Sequence, residues 1–80
     1  MTNIEVMYLA DRLAAWYDTY SPYEPAEDPQ YFYTQLVYKG NRAKLLKILK
    51  ETRDEMSLDN DADQEAFTRL LPLIEDIEKI

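Results

Sequence analysis

The sequence predicts an all-α protein, a compact four-helix bundle with a kinked C-terminal helix. Gly occurs once and β-branched residues are few, so extended sheet has little support. Apolar residues recur every three or four positions along four segments, which is the spacing of amphipathic helices. Eighty residues suffice for one core. We therefore expect a single helical domain over residues 1–80, with helices at about 3–20, 29–39, 42–56 and 62–79.

The first predicted helix has a start signal and two apolar faces. Thr2 and Glu5 have the spacing of a capping box, in which each side chain accepts a backbone N–H. The main apolar stripe consists of Val6, Leu9, Leu13, Trp16, Tyr17 and Tyr20. Ile4, Met7 and Tyr8 lie on the other side. A helix that is apolar around most of its girth indicates a central position or a surface shared with a partner.

Helix-breaking and helix-capping residues indicate where the next two helices begin and end. Pro22 and Pro25 predict an ordered connector over residues 21–27. Helix 2 is expected to begin at Pro29, after the N-cap Asp28. Gly40 predicts a left-handed C-cap, after which Asn41 would cap helix 3. The expected buried stripes are Phe32, Tyr33, Leu36 and Val37 in helix 2, and Leu45, Ile48, Leu49, Thr52 and Met56 in helix 3.

The fourth predicted helix contains a proline. Its expected apolar stripe is Ala66, Phe67, Leu70, Leu71, Ile74 and Ile77. Asp59 or Asp61 is expected to cap it. Pro72 removes the hydrogen bond to the carbonyl of Thr68, and both residues point away from the stripe. Water can then satisfy the freed carbonyl, which predicts a kink and not a helix end.

Composition excludes several kinds of chemistry. The chain has no Cys and no His, which excludes thiolate sites, disulfides, the usual proton shuttle and the commonest zinc ligand. Neither Ser21 nor Ser57 has a recognisable activating partner, and the lone Gly40 cannot form a phosphate-binding loop. The sequence therefore predicts no catalytic residue, no cofactor and no enzymatic activity.

The segment 59–63 resembles the start of a calcium-binding loop. Its acid spacing is suitable, but Gln64 stands where the loop needs Gly. Leu70 stands where a bidentate carboxylate is needed. We interpret the segment as a helix cap and expect no metal site. The apolar runs are also far shorter than the roughly 20 residues that span a bilayer. No signal peptide is recognisable, so we expect a cytoplasmic protein without a membrane partner.

Charge is distributed in three blocks. Residues 1–30 have a net charge of −5, residues 31–53 of +5 and residues 54–80 of −7, which sum to the −7 of the chain. Lys44, Lys47 and Lys50 share the predicted solvent face of helix 3, which makes them alternative nucleic-acid contacts. Glu51 and Asp54 follow Lys47 and Lys50 by four residues, so internal ion pairs disfavour nucleic acid as a partner. A further alternative is that the acids of residues 54–80 mimic nucleic acid and occupy a basic protein groove.

Tyrosine is abundant, with seven residues in the chain. Tyr8, Tyr31 and Tyr38 have weak claims to burial, and Tyr31 and Tyr38 are seven residues apart on one side of helix 2. Tyr is enriched at interfaces because it adds contact area and a hydrogen bond at low entropic cost. We therefore predict a protein partner of unknown identity that contacts these three residues, with a homodimer through helices 1 and 2 as one form. The alternative is that the rings pack over the connector within one molecule.

One pattern resembles a known group of proteins. It comprises a leading amphipathic helix, a connector rich in Tyr, Pro and Glu, and then Gln35-Leu36, Gly40-Asn41, Leu45-Leu46 and Leu49. This arrangement, over about residues 20–50, is similar to small all-helical accessory domains of bacterial mobile elements. Such domains also occur within polyvalent proteins of conjugative elements and phages. The resemblance implies an accessory or counter-defence role and carries over no site residues.

Overall fold

A computed structural model describes residues 2–20 and 28–80 of the chain. Its four helices are α1 (Asn3–Tyr20), α2 (Pro29–Val37), α3 (Lys39–Glu55) and α4 (Asp61–Glu78). Helix α1 packs against α2 and α4, and α3 packs against the same two helices. The described residues contain no strand. The chain is therefore the all-α four-helix bundle that its sequence predicts. The predicted connector over residues 21–27 lies outside the described residues.

All four helices contribute to one apolar core. The buried residues are Val6, Leu9, Ala10, Leu13, Ala14, Trp16, Phe32, Leu36, Leu45, Leu49, Ala66, Leu70, Leu73, Ile74 and Ile77. No polar or charged residue is buried in the described part of the chain. Each fully buried Leu or Ile contributes roughly 1.5–3 kcal/mol relative to an exposed one, so these contacts hold the bundle together.

Helices α1 and α2 begin as their sequences predict. The backbone N–H of Glu5 donates to Thr2 Oγ1 at 3.2 Å, and that of Thr2 donates to Glu5 Oε1 at 3.4 Å, which forms the capping box. At the start of α2, Asp28 Oδ1 accepts from the backbone N–H of Tyr31 at 3.0 Å. Pro29 occupies the first helical position.

The prediction of the α4 cap was wrong by one residue. Asn60, and neither Asp59 nor Asp61, is the N-cap, and its Oδ1 accepts from the N–H groups of Ala62 at 2.8 Å and Asp63 at 3.3 Å. The amide oxygen of Asn caps a helix as well as a carboxylate does. The segment therefore caps α4, as its interpretation predicts.

The predicted junction between helices 2 and 3 was wrong. Helix α2 ends at Val37, and α3 begins at Lys39, so Tyr38 alone separates them in an extended conformation (φ −87°, ψ 121°). Gly40 lies in the first turn of α3 without a positive φ, and it is not a C-cap. Asn41 lies inside the same helix and is not an N-cap.

An arginine replaces the predicted glycine cap at this junction. The Arg42 guanidinium donates to the carbonyl of Leu36 at 3.0 Å, so a basic side chain satisfies one of the last carbonyls of α2. The backbone N–H of Arg42 donates to the carbonyl of Tyr38 at 2.8 Å. One extended residue is enough to redirect the chain, so left-handed backbone is not needed.

Three residues of the predicted apolar stripes are exposed. Val37, Ile48 and Leu71 lie on the surface, whereas Leu73 is buried without having been predicted. Helix α4 packs against both α1 and α3, and its buried positions are 66, 70, 73, 74 and 77. Because α4 faces two neighbouring helices, its buried stripe is centred between them. Leu73 is therefore buried, and Leu71 lies at the exposed edge of the stripe. Helix α4 continues through Pro72, which is exposed as predicted.

Candidate functional site

The first half of α1 carries an exposed apolar patch. The side chains of Ile4, Met7 and Tyr8 are 76%, 55% and 69% exposed. Residues three and four positions apart adjoin on a helix, so these three side chains form one patch. We call Ile4, Met7 and Tyr8 the α1 surface. It lies opposite the stripe that α1 buries against α2 and α4, as the two-faced pattern of the sequence indicates.

The three predicted contact tyrosines do not form a cluster of rings. Tyr8, Tyr31 and Tyr38 are all exposed, but no ring contact joins any two of them in the described part of the chain. Tyr31 packs edge-on against Phe32 with ring centroids 5.3 Å apart. Because Tyr38 lies outside α2, its seven-residue spacing from Tyr31 does not place it above that ring. The sequence placed the two tyrosines on one side of helix 2 because the end of that helix was predicted at residue 39, two residues after its observed end at Val37.

A continuous set of ring contacts joins α1 to α2. Trp16 contacts Tyr20 and Tyr17, with centroid distances of 5.9 and 5.2 Å. Tyr17 in turn stacks on Phe32 at 5.1 Å. Offset and edge-to-face pairs of this kind each contribute about 0.5–1.5 kcal/mol beyond area burial. Trp16, Tyr17 and Phe32 therefore act in the fold, as the sequence predicts for them.

A shallow groove of about 430 Å³ runs between α1 and α4. The two helices are antiparallel there, since Tyr20 contacts Glu65 near the start of α4 and Arg12 contacts Asp76 near its end. Arg12 and Arg69 both line the groove. Each is paired with a carboxylate: Arg12 Nη1 lies 2.7 Å from Asp76 Oδ2, and Arg69 Nε lies 3.3 Å from Glu65 Oε1. The cations of the groove are thus matched by acids at its edge.

The Tyr20 hydroxyl closes one end of this groove by donating to Glu65 Oε1 at 2.9 Å. Partial burial raises the pKa of Tyr20 above its ordinary value, and the hydrogen bond to the Glu65 carboxylate adds to this increase. A raised pKa keeps the phenol protonated near neutral pH, which suits its role as the donor to Glu65. The described residues contain no group of three potential metal ligands.

The basic block of the sequence separates into two parts on α3. Lys44 and Lys47 are exposed, and no described carboxylate lies within ion-pair distance of either ammonium. Lys50 differs from them because its Nζ lies 3.5 Å from Glu78 Oε1 on α4. Two of the three alternative nucleic-acid contacts therefore have no ion-pair partner within residues 2–20 and 28–80.

The ion pairs predicted within helix 3 were wrong. Asp54 pairs with the adjacent Arg53 at 3.1 Å, and Lys50 pairs across to α4. Glu51 forms no ion pair with Lys47 among the described residues. Spacing along one helix gave the wrong partners because α4 brings Glu78 to Lys50.

Much of the acidic surface is engaged within the molecule. Five of the nine acids in residues 54–80 form an ion pair or accept a hydrogen bond, namely Asp54, Asp63, Glu65, Asp76 and Glu78. The Asp63 carboxylate, for example, accepts from the backbone N–H of Ser57 at 3.1 Å. These contacts attach the acids to the fold and reduce the charge that is free to imitate phosphates.

Comparisons with protein-family models, with curated proteins and with solved structures found no match. Among the described residues, no helix is both long enough and apolar enough to cross a membrane. The α1 surface differs from an ordinary solvated helix face in its three exposed apolar side chains.

Proposed function

We propose that this chain is a small, acidic, cytoplasmic module without enzymatic activity that acts by binding another protein through the α1 surface. The observation that carries the proposal is the joint exposure of Ile4, Met7 and Tyr8 on one helix face. An accessory role of the kind implied by the resemblance to mobile-element domains is compatible with a module that acts through a partner.

The exposure of the three side chains favours a binding role over a purely structural role. Their side chains remain exposed although the core of the bundle lies on the opposite side of α1. Contiguous exposed apolar side chains mark interaction sites more often than isolated ones do. A Tyr beside two aliphatic side chains provides the aromatic anchor and apolar surroundings that are common at the centre of interfaces. Tyr31 and Tyr38 are exposed enough to extend such an interface onto α2.

Capture from the native cell tests the proposal. Three forms of the chain would be immobilised: the wild type, the double variant Met7→Gln/Tyr8→Gln, and Leu58→Gln as a matched control. Leu58 is an exposed apolar residue outside the α1 surface. We expect the wild type and the control to retain the same partner in equal amounts and the double variant to retain less of it or none. Equal retention by all three forms, or retention of nothing by the wild type, would refute the proposal.

Lys44 and Lys47 are exposed and have no ion-pair partner among the described residues, which supports a second candidate function, nucleic-acid binding by α3. Phosphate contacts release counterions, so the affinity would fall steeply with salt. Titration of labelled DNA and RNA at low and high salt, with Lys44→Gln/Lys47→Gln as the variant, tests it. Undetectable binding of the wild type at low salt would remove this candidate.

A further inference from the structure

The face of α1 that carries the apolar patch continues into unneutralised acids. Asp11 and Asp18 follow Ile4 by seven and fourteen residues, which places them further along the same side of the helix. Both are exposed, and no described cation lies within ion-pair distance of either carboxylate. This side of α1 is therefore apolar at its start and negative towards its end.

Helix α3 presents the opposite combination. Ile48 is 53% exposed, lies four residues after Lys44 and follows Lys47 directly. The exposed Glu51 follows Ile48 by three residues, so together with Lys44 and Lys47 it leaves the surroundings of Ile48 with a net charge of +1. We call Lys44, Lys47 and Ile48 the α3 surface. It offers an exposed aliphatic side chain beside two cations that have no ion-pair partner in the described part of the chain.

The bundle keeps these two surfaces apart. Helices α1 and α3 each pack against α2 and α4. Among the described helices, α1 and α3 do not pack extensively against each other. The two helices therefore occupy opposite sides of the bundle, and each turns its exposed face outward. The acids of α1 cannot reach the lysines of α3 in the same molecule, although a second molecule can bring them together.

We propose that the α1 surface of one molecule, with Asp11 and Asp18, binds the α3 surface of a second copy in a head-to-tail contact. This inference rests on the proposed function and names the partner of the same surface. In this contact the apolar side chains of α1 meet Ile48, and the carboxylates of Asp11 and Asp18 face the ammonium groups of Lys44 and Lys47, which gives complementarity of charge. The contact is heterologous, so it adds molecules in a row and does not close as a dimer by itself.

Charge favours this contact over a symmetric one. In a two-fold contact of α1 with α1, Asp11 and Asp18 of both molecules would lie in one interface, and Arg12, the cation of α1, is already paired with Asp76. Like charges placed together across an interface cost several kcal/mol. A head-to-tail contact replaces that repulsion with attraction.

Sedimentation of the full chain from micromolar to millimolar concentration tests the inference with charge-reversal variants. Asp11→Lys/Asp18→Lys alters the α1 side, and Lys44→Glu/Lys47→Glu alters the α3 surface. The control Asp59→Lys/Glu75→Lys changes two exposed acids that have no described ion-pair partner and lie on neither surface. The α1 variant and the control have the same net charge, −7 + 4 = −3.

We expect the wild type and the control to form concentration-dependent oligomers. The dissociation constant of each surface variant alone should rise by about tenfold or more, because like charges then face each other. A mixture of the two variants should regain association, since each supplies the surface that the other lacks. If net charge alone governed association, the α1 variant would associate more readily than the wild type.

Three results would overturn the inference: a monomeric wild type throughout, an α1 variant that associates like the control, or a mixture no larger than its components. A monomeric wild type together with retention of a cellular partner that Met7→Gln/Tyr8→Gln loses would leave the proposed function standing. If the Met7→Gln/Tyr8→Gln variant retained every partner as well as the wild type does, the proposed function would be contradicted, whatever the result of sedimentation.

Discussion

The indole N–H of Trp16 donates a hydrogen bond to the backbone carbonyl of Ala66 across a distance of 3.1 Å. This bond joins α1 to α4 within the core, and Trp16 also contacts the rings of Tyr17 and Tyr20. A buried Trp usually finds a partner for its N–H because an unpaired buried donor is unfavourable. Trp16 thereby links α1, α4 and the aromatic contacts to α2.

Trp16→Phe should lower the free energy of unfolding by about 2 kcal/mol, of which the hydrogen bond accounts for about 1 kcal/mol and the lost ring volume for the rest. Urea unfolding followed by far-ultraviolet circular dichroism measures the change, since the variant has no tryptophan to report by fluorescence. Tyr8→Phe is the control, because it alters an exposed ring. An unchanged midpoint for Trp16→Phe would contradict the structural role of this bond.

Gly40→Ala should stabilise the protein by about 0.5–1 kcal/mol. Gly40 lies in the first turn of α3 without a positive φ, and a Cβ placed on it meets no atom within 4 Å. Alanine therefore favours the helix and restricts the unfolded chain without a clash. Thermal unfolding distinguishes the two interpretations of this residue. A left-handed C-cap, as the sequence pattern suggests, would give destabilisation.

Pro72→Ala should also stabilise the protein, by about 1–2 kcal/mol, because alanine restores the backbone N–H that can bond to the carbonyl of Thr68. Part of the gain is offset by the greater freedom of the unfolded chain. Pro72 is exposed at the α1–α4 groove, so the change opens no cavity in the core. Urea unfolding of the wild type and the variant measures the change, provided that the free energy of unfolding depends equally on urea concentration in both. A lower midpoint for the variant would show that the proline ring is needed for packing.

Met7→Gln/Tyr8→Gln should leave the free energy of unfolding within about 0.5 kcal/mol of the wild type, as surface substitutions usually do. Both side chains are mostly exposed on the face of α1 away from the core. Leu13→Gln is the contrasting variant, since Leu13 is fully buried and a polar group there should unfold the chain. A large loss of stability in the double variant would assign the α1 surface to the fold and not to binding.

Local signals predicted α1 best. The capping box of Thr2 and Glu5 marks its start, and the stripe that includes Leu9 and Leu13 matches the buried face. The exposed patch of Ile4, Met7 and Tyr8 was also foreseeable, because a single helix cannot bury both of its sides in a small bundle.

The errors arose where contacts between helices decide the structure. Gly40 resembles a helix end in sequence, but Arg42 satisfies the carbonyl of Leu36 and makes a left-handed residue unnecessary. The pairing of Lys50 with Glu78 depends on how α4 lies beside α3, which spacing within one helix does not encode. The prediction that Tyr38 lies beside Tyr31 on α2 failed as well, because Tyr38 forms the junction between α2 and α3.

The central claim is that the α1 surface contacts another protein, and photo-crosslinking at Tyr8 tests it most directly. A benzophenone amino acid, similar to Tyr in shape, would replace Tyr8 in one form of the chain and the exposed Glu75 of α4 in another. After irradiation in extract of the native cell, we predict a crosslinked protein, whether a second copy or a different chain, from position 8 and none from position 75. Equal products from both positions, or none from position 8, would contradict the account.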